Sequence, residues 1–244
     1  MEHFDPFQAY GIVFGDMKLA RCVRETAKIN IDHIDKLSCF QADIRYLQGI
    51  EHVRNLLELD LHFNQVEDAS LLAHLHHLRE LHLGLNHCSE IGWLQGMQSL
   101  RNLTLFDNEI ENIDPLAGLT QMEVLHLRFN LIEEISPLRG LVALQELSLS
   151  SNLLDDISAL GAMYQMQRLN LYRNFIRDLS PLVGMRELRE LYIGENPVHD
   201  LTPLLQLPNL VVANVQGTPA DQKQREYLDA HVKGNRARLG LPLD

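Results

Sequence analysis

The chain has 244 residues, with 33 acidic against 21 basic side chains and a formal net charge of −12. This acidic balance argues against nucleic acid or an anionic membrane as the main partner, because both require a concentrated positive surface. No stretch approaches the ~20 uninterrupted apolar residues of a membrane-spanning helix. The start of the chain also lacks the basic residues and apolar run of a signal peptide. These features predict a soluble, cytoplasmic protein.

Residues 1–29 precede a repeated pattern. Apolar residues at helical spacing run from Met17 to Ala27, and Asp16 is available as an N-cap. Because the open end of a repeat array exposes its core, we predict that residues 1–29 form an N-terminal helical cap.

The central part of the chain repeats every 22 residues. We predict one continuous array over residues 30–220, with seven regular repeats from 56 to 209 and degenerate first and last units. Ala42 and Thr218 occupy the asparagine position in those two end units. The repeat is marked by seven asparagines at one fixed spacing: Asn64, Asn86, Asn108, Asn130, Asn152, Asn174 and Asn196.

Each repeat predicts a strand followed by turns. Alternating leucines such as Leu125 and Leu127 have the two-residue period of a strand with one buried face. After the asparagine the apolar spacing becomes three and is interrupted by proline, which favours short 3₁₀ turns. The predicted fold class is an α/β solenoid, a curved rod with a parallel β-sheet on its concave face and 3₁₀ or irregular turns on its convex face.

The asparagine is predicted to satisfy backbone groups at the bend after each strand. A carboxamide offers both donors and an acceptor, so it can pair with groups of its own turn and of the next repeat. After the array, residues 221–244 contain a short amphipathic pattern and are predicted to form a C-terminal helical cap.

The pattern resembles the leucine-rich repeat superfamily, specifically the 22-residue class that includes bacterial internalins and nuclear phosphatase-regulatory proteins. The resemblance covers roughly residues 30–220 and is carried by Leu-Arg-Glu-Leu-His-Leu (78–83) and Asn-Glu-Ile-Glu-Asn-Ile-Asp-Pro-Leu (108–116). Both end regions look like those of internalins. Internalins are exported and wall-anchored, whereas this chain is expected to have neither a signal nor an anchor, and a translocated effector is the alternative location. The resemblance implies a binding scaffold without naming its partner.

The cysteines are interpreted as structural. Cys39 and Cys88 lie at repeat positions otherwise held by Leu, Val or Ile, so we expect small buried hydrophobes with free thiols. An odd count of cysteines suits a reducing compartment.

Residues between and just after the core leucines are expected to face the concave surface. Aromatic side chains concentrate there, interleaved with His, Arg and Asp, which is the composition of protein-binding hot spots. The alternative is that these aromatics only cover the sheet. The predicted partner-binding residues are Asp60, His62, Phe63, His82, Phe106, Asp107, His126, Arg128, Phe129, Tyr172, Arg173 and Tyr192.

Two further features have competing interpretations. Trp93 is expected to pack on the convex side, with a secondary contact site as the alternative. A row of acidic residues beside the sheet is interpreted as a solvated edge rather than a dedicated binding strip, and it comprises Glu67, Asp68, Glu90, Glu111, Glu133, Glu134, Asp155, Asp156, Asp178 and Asp200.

The histidines do not predict a metal site, because a flat strand face brings four ligands to one point only with difficulty. We expect no cofactor and no catalytic residue. The leading hypothesis is a noncatalytic, monomeric protein-interaction module that binds a protein partner on its concave sheet face. A regulatory subunit of a phosphatase or other enzyme is the first alternative. A concave hydrolytic site around His82, His126 and Arg128, and a structural spacer, are the others.

Overall fold

The computed structural model describes residues 11–27 and 30–242. Residues 1–10, 28–29 and 243–244, which belong to the predicted cap segments, lie outside the described residues. In the described part, two α-helices flank nine parallel strands that form one open sheet in chain order. The predicted α/β solenoid, with its sheet on one side and 3₁₀ turns on the other, is confirmed.

The strands are three residues long and pair in the 22-residue register, so that Leu59 lies opposite Leu81 and Leu81 opposite Leu103. Helix α1 spans Met17–Ala27 and helix α2 spans Gln222–Arg238. The strands are β1 Lys36–Ser38, β2 Glu58–Asp60, β3 Glu80–His82, β4 Asn102–Thr104, β5 Val124–His126, β6 Glu146–Ser148, β7 Arg168–Asn170, β8 Glu190–Tyr192 and β9 Val212–Asn214. The 3₁₀ turns are Ile31–His33, Ile50–His52, Ser70–His74, Gly92–Leu94, Asp114–Leu116, Ser136–Gly140, Ser158–Ala162, Ser180–Gly184 and Thr202–Gln206.

A sharp backbone bend follows each strand. The residue before each asparagine, or before its equivalent, has a positive φ of 52° to 58° in eight consecutive units, and Gly217 has 77° in the last. Left-handed backbone is uncommon for residues other than glycine, and the sequence pattern did not reveal it. The non-glycine residues concerned are Gln41, Phe63, Leu85, Asp107, Phe129, Ser151, Arg173 and Glu195.

The seven asparagines form a buried hydrogen-bonded ladder, here called the asparagine ladder. In the unit of Asn130, its Oδ1 accepts the backbone N–H of Ile110 at 3.0 Å, and its Nδ2 donates to the carbonyls of Leu105 and Leu127 at 3.0 Å. The predicted pairing within the asparagine's own turn is confirmed. The predicted pairing with the next repeat is wrong, because the second set of contacts goes to the preceding repeat. The carboxamide of Asn130 thus lies against the bend of the preceding repeat, where Leu105 and Ile110 are.

Helix α1 closes the N-terminal end of the core. Leu19, Ala20 and Val23 are buried, and Asp16 caps the helix by accepting the N–H of Lys18 at 2.8 Å. Burial alone would raise the pKa of Asp16, but backbone N–H groups, foremost that of Arg45, outweigh it and lower that pKa. Asp16 therefore remains a carboxylate that joins the cap to the first repeat.

Cys39 is buried as predicted, but it is not a free thiol. It forms a disulfide with Cys22 of helix α1, so the expectation for Cys39 is wrong, and Cys88 is the free, buried cysteine. The pairing arises because the cap helix packs beside β1, a contact that repeat spacing cannot reveal. It also removes the argument for a reducing compartment that rested on unpaired cysteines.

Helix α2 closes the other end. Leu228 is buried, and Asn235 donates to the carbonyls of Leu207 and Leu210 at 3.2 and 3.0 Å. Arg225 donates to the carbonyl of Val215 at 3.2 Å. Arg225 thereby replaces the asparagine of a following repeat, since the inner counterpart of Val215, Leu171, accepts from Asn196.

The row of acidic residues divides into two kinds. In five repeats one acid accepts the N–H at the start of a 3₁₀ turn, as Asp156 does from Ser158 at 2.7 Å and Asp178 from Ser180 at 2.8 Å. Asn112 takes this place before Asp114. The N–H and hydroxyl of Ser180 lower the pKa of Asp178 accordingly. Trp93 lies in the 3₁₀ turn Gly92–Leu94 and packs against the core, and its indole N–H donates to the carbonyl of Glu90 at 3.1 Å.

Candidate functional site on the sheet face

Two residues of each three-residue strand point to the same exposed face, because successive side chains alternate across a sheet. The third residues include the predicted Asp60, His82, His126 and Tyr192. The first residue of each strand was not predicted to lie on this face, although the same two-residue alternation could have identified it. These first residues add Glu146, Arg168 and Glu190 to this surface, which we call the sheet face.

Aromatic rings cluster over the N-terminal half of the sheet face. The rings of His62 and His82 stack with centroids 5.2 Å apart, and the ring of Phe106 lies 5.3 Å from that of His62. Gly84 makes this packing possible, because a Cβ there would lie 2.5 Å from Phe106 and 2.8 Å from His62. Thus three predicted residues that are 20 to 44 positions apart in the chain form one cluster.

His62 is held neutral by this packing. Burial lowers its pKa, although the Asp60 carboxylate, 3.0 Å from Nδ1, acts in the opposite direction, and the positive charge of His82 when protonated lowers it further. Its Nε2 is buried and has no hydrogen-bond partner in the described structure. Protonation would therefore place a second charged N–H where nothing accepts it.

We expect this histidine to make the fold less stable in mild acid. Because the pKa of His62 is lowered by folding, its contribution to the free energy of unfolding is complete above its unfolded-state pKa of about 6.5 and is lost as the pH falls through the folded-state value. Urea unfolding measured from about pH 7.5 down to about pH 5 should show this decline, and His62→Gln should flatten it. The exposed His74 supplies the control, since His74→Gln should leave the slope unchanged. Equal slopes in wild type and His62→Gln would refute the assignment.

Arg128 extends the cluster to the next strands. Its guanidinium lies 4.3 Å from the centroid of the Phe106 ring and 5.6 Å from that of Phe129. Both distances are within cation–π range, and the contact holds a long side chain in one place. The face therefore presents a cation and two aromatic rings in a fixed arrangement.

A row of interacting charged side chains crosses the middle of the sheet face. His126 Nε2 lies 2.9 Å from a carboxylate oxygen of Glu146, and Arg168 Nε donates to the other at 2.7 Å. Burial would raise the pKa of Glu146, but its hydrogen bonds to Arg168 and His126 outweigh burial and lower that pKa. At the far end, Tyr192 donates to Glu190 at 3.3 Å, and burial together with that carboxylate raises the pKa of Tyr192.

A hollow of ≈ 390 Å³ lies between these groups. Ser148 and Asn170, two small side chains, line it between the larger ones, which is why the surface dips there. Its walls include Phe106, His126, Arg128, Glu146, Arg168 and Tyr192. Four of these six residues were predicted from the sequence.

The remaining predicted residues lie beyond the strand ends. Phe63 and Asp107 line a separate hollow of ≈ 600 Å³ at the edge where the backbone bends, and the Phe63 ring packs edge-on against Phe40 with centroids 5.2 Å apart. Tyr172 lies over Gly194, where a Cβ would approach its ring to 3.1 Å. Arg173 is exposed at the bend. The structure therefore does not bring all twelve predicted residues into one site.

Neither a metal cluster nor a membrane span is found in the residues that the structure describes. Over 11–27 and 30–242, no group of three or more His, Cys, Asp and Glu side chains is arranged to hold an ion. No helix in these ranges has the length and apolar character needed to cross a bilayer.

The chain belongs to the leucine-rich repeat family. The family model described as Leucine Rich repeats (2 copies) matches residues 98–140 and 142–184. In fold, the chain is similar to internalin C2 of Listeria monocytogenes, with 32% sequence identity and a TM-score of 0.82, covering 84% of this chain and 96% of that one. The predicted leucine-rich repeat, internalin-like character is confirmed.

Two further solved structures share the fold. An internalin, InlF, of Listeria monocytogenes is 27% identical, with a TM-score of 0.57, over 92% of this chain and 82% of that one. A leucine-rich repeat protein of Leptospira interrogans is 19% identical, with a TM-score of 0.70, over 77% of this chain and 56% of that one, and it supports the fold alone. No curated protein sequence is significantly similar to this chain.

Proposed function

We propose that this protein is a noncatalytic interaction module that binds a protein partner on its sheet face. The observation that carries the proposal is the arrangement of Arg128 over the Phe106 and Phe129 rings, beside the central hollow. Arginine and aromatic residues dominate binding energy at protein interfaces, especially where their side chains are already ordered. Membership of the leucine-rich repeat family, whose proteins generally bind other proteins, supports the same function.

The contacts of the histidines support a noncatalytic role. His82 Nδ1 lies 3.2 Å from the hydroxyl of Thr104, but Thr104 is only 7% exposed, so a substrate would not reach that oxygen. His126 is engaged by Glu146. We therefore favour recognition over the hydrolytic alternative around His82, His126 and Arg128.

The proposed function is tested by comparing two double variants. Arg128→Ala with Tyr192→Ala removes two walls of the central hollow, whereas Arg139→Ala with Tyr164→Ala makes the same chemical change at exposed positions on the 3₁₀ side. Proteins captured from extracts of the source organism by the wild type are identified by mass spectrometry. The dissociation constant of each purified candidate is then measured.

We expect the sheet-face variant to weaken binding by about 100-fold, since two hot-spot residues are lost. The control variant should bind within about twofold of wild type. Circular dichroism verifies that both variants are folded. A partner retained equally by both variants would contradict the sheet-face proposal, whatever its affinity for the wild type.

A further inference from the structure

A second exposed surface lies outside the sheet face, on the segment that follows the asparagine ladder. The residue after each asparagine is polar in the first repeats, where it is Gln65, His87 and Glu109. It becomes apolar in the next three, where Leu131 is 45%, Leu153 38% and Phe175 56% exposed. We call these three residues the apolar strip.

The apolar strip is continuous because its backbone is hydrogen-bonded from repeat to repeat. The N–H of Leu153 donates to the carbonyl of Ile132 at 2.9 Å, and that of Phe175 donates to Leu154 at 2.8 Å. Such bonds hold neighbouring segments at the ~4.8 Å separation of paired strands. The strip therefore presents one apolar side chain about every 5 Å along the rod.

A row of unpaired carboxylates runs parallel to the strip. Glu111, Glu133 and Asp155 are exposed, and none has a hydrogen-bonding or ionic partner among the described residues. Glu133 and Asp155 lie two residues after Leu131 and Leu153, with the buried Ile132 and Leu154 between them. In an extended segment, residues two apart point the same way and lie about 6–7 Å apart. The strip is thus bordered by negative charge beside Leu131 and Leu153, whereas the exposed Arg177 holds the same position beside Phe175.

We propose that the apolar strip and its row of carboxylates bind an amphipathic basic helix of a protein partner. The helix axis lies along the rod, with its apolar residues on Leu131, Leu153 and Phe175. Lysines or arginines on its flank lie against Glu133 and Asp155. Glu133 and Asp155 select basic side chains beside Leu131 and Leu153, while Arg177 excludes them beside Phe175. The exposed apolar side chains supply the contact area that charge alone lacks.

The repeat spacing selects a helix rather than an extended segment. A helix presents the same face about every 5.4 Å, close to the spacing of the strip, so its side chains remain in register over three repeats. An extended chain repeats its face about every 6.6–6.8 Å and would lose register after one or two repeats. The carboxylates also repel an anionic lipid surface, which leaves a protein helix as the occupant.

The test uses a synthetic peptide of about 18 residues, which is long enough for about five helical turns. Leucines occupy every third or fourth position, and lysines flank them. The control peptide has the same composition in scrambled order, and therefore the same charge without an apolar face. A third peptide alternates leucine and lysine, which favours an extended strand. Binding to the full chain is measured by fluorescence anisotropy at about 0.15 M salt, where long-range attraction is screened.

We expect the helical peptide to bind and the other two to bind at least about tenfold more weakly. Leu131→Gln, Leu153→Gln and Phe175→Gln together should weaken binding by about tenfold or more, and so should Glu133→Lys with Asp155→Lys. The matched control is Val142→Gln with Tyr164→Gln, since these two residues are at least as exposed as Leu131 and Leu153 and lie at another position of the repeat. It should not change binding.

Several outcomes would overturn the proposal. The proposal fails if the helical peptide does not bind, if the scrambled peptide binds as tightly as the helical one, or if the alternating peptide binds more tightly. It also fails if both strip variants bind the helical peptide as tightly as the wild type does. Arg128→Ala with Tyr192→Ala separates the two surfaces, because it should leave peptide binding intact. Loss of peptide binding in that variant would move the peptide to the sheet face and refute the strip.

Discussion

Asn130→Ala should lower the free energy of unfolding by about 3–5 kcal/mol, although it removes no apolar contact. The carboxamide of Asn130 satisfies one N–H and two carbonyls at the bend of two adjacent repeats. All these groups are buried, and the Ile110 N–H would be left unpaired, at a cost of about 1–3 kcal/mol. The two carbonyls would each lose one hydrogen bond but keep another, from Asn108 and from Asn152. Because each repeat is stabilised only by its neighbours, the loss should weaken the coupling between the repeats on either side. Urea unfolding followed by circular dichroism measures the change.

The matched control is Asn102→Ala in strand β4. The Asn102 side chain lies on the half-buried sheet face and makes no hydrogen bond among the described residues, so the same chemical change should cost less than about 0.5 kcal/mol. If Asn130→Ala and Asn102→Ala had equal midpoints, the asparagine ladder would not be stabilising the rod.

Cys22→Ser with Cys39→Ser should destabilise the N-terminal cap by about 3 kcal/mol. The disulfide closes a segment with a sequence separation of 17 and ties helix α1 to the end of β1. Without it, the unfolded cap regains the conformational freedom that the link removes. Hydrogen exchange of the α1 amides should accelerate strongly, while that of the central strands changes little, because contacts in a solenoid are between neighbours. A reducing agent should have the same effect on the wild type and none on the double variant.

Cys88 provides an internal control for this prediction. Burial raises the pKa of the Cys88 thiol to about 12, so almost none of it is a reactive thiolate near pH 8. Alkylation of the folded, unreduced protein should therefore modify no cysteine, and alkylation after denaturation should modify one. Three modified cysteines in the denatured, unreduced protein would rule out the disulfide.

The positions of the strands and of the buried residues were predictable from one sequence, because they depend on the 22-residue periodicity alone. The 22-residue spacing located the strands, the inward leucines and the asparagine ladder, and the structure agrees on each. The direction of the ladder was predicted incorrectly, since a pattern does not distinguish the preceding repeat from the next. The positive φ before each asparagine also escaped prediction, because residues as different as Phe63, Arg173 and Glu195 adopt it.

The site was predictable only as a set of outward positions. His62, His82, Phe106 and Arg128 were identified by their place in the repeat, and they do come together. Glu146 and Arg168 were not predicted, because they occupy the first position of their strands rather than the positions between and after the core leucines. Phe63 and Asp107 were grouped with the face, but the bend carries them to its edge.

By itself, the sequence determined which residues are buried and in what register the repeats stack, since inward leucines every 22 residues can be buried in only one way. The tertiary structure alone decided that Cys22 reaches Cys39, that Gly84 receives the rings of His62 and Phe106, and that Arg128 lies over the Phe106 and Phe129 rings. The physical reason is that these contacts join side chains on separate elements. Their distances depend on how the cap docks and how the backbone bends, which no single repeat encodes.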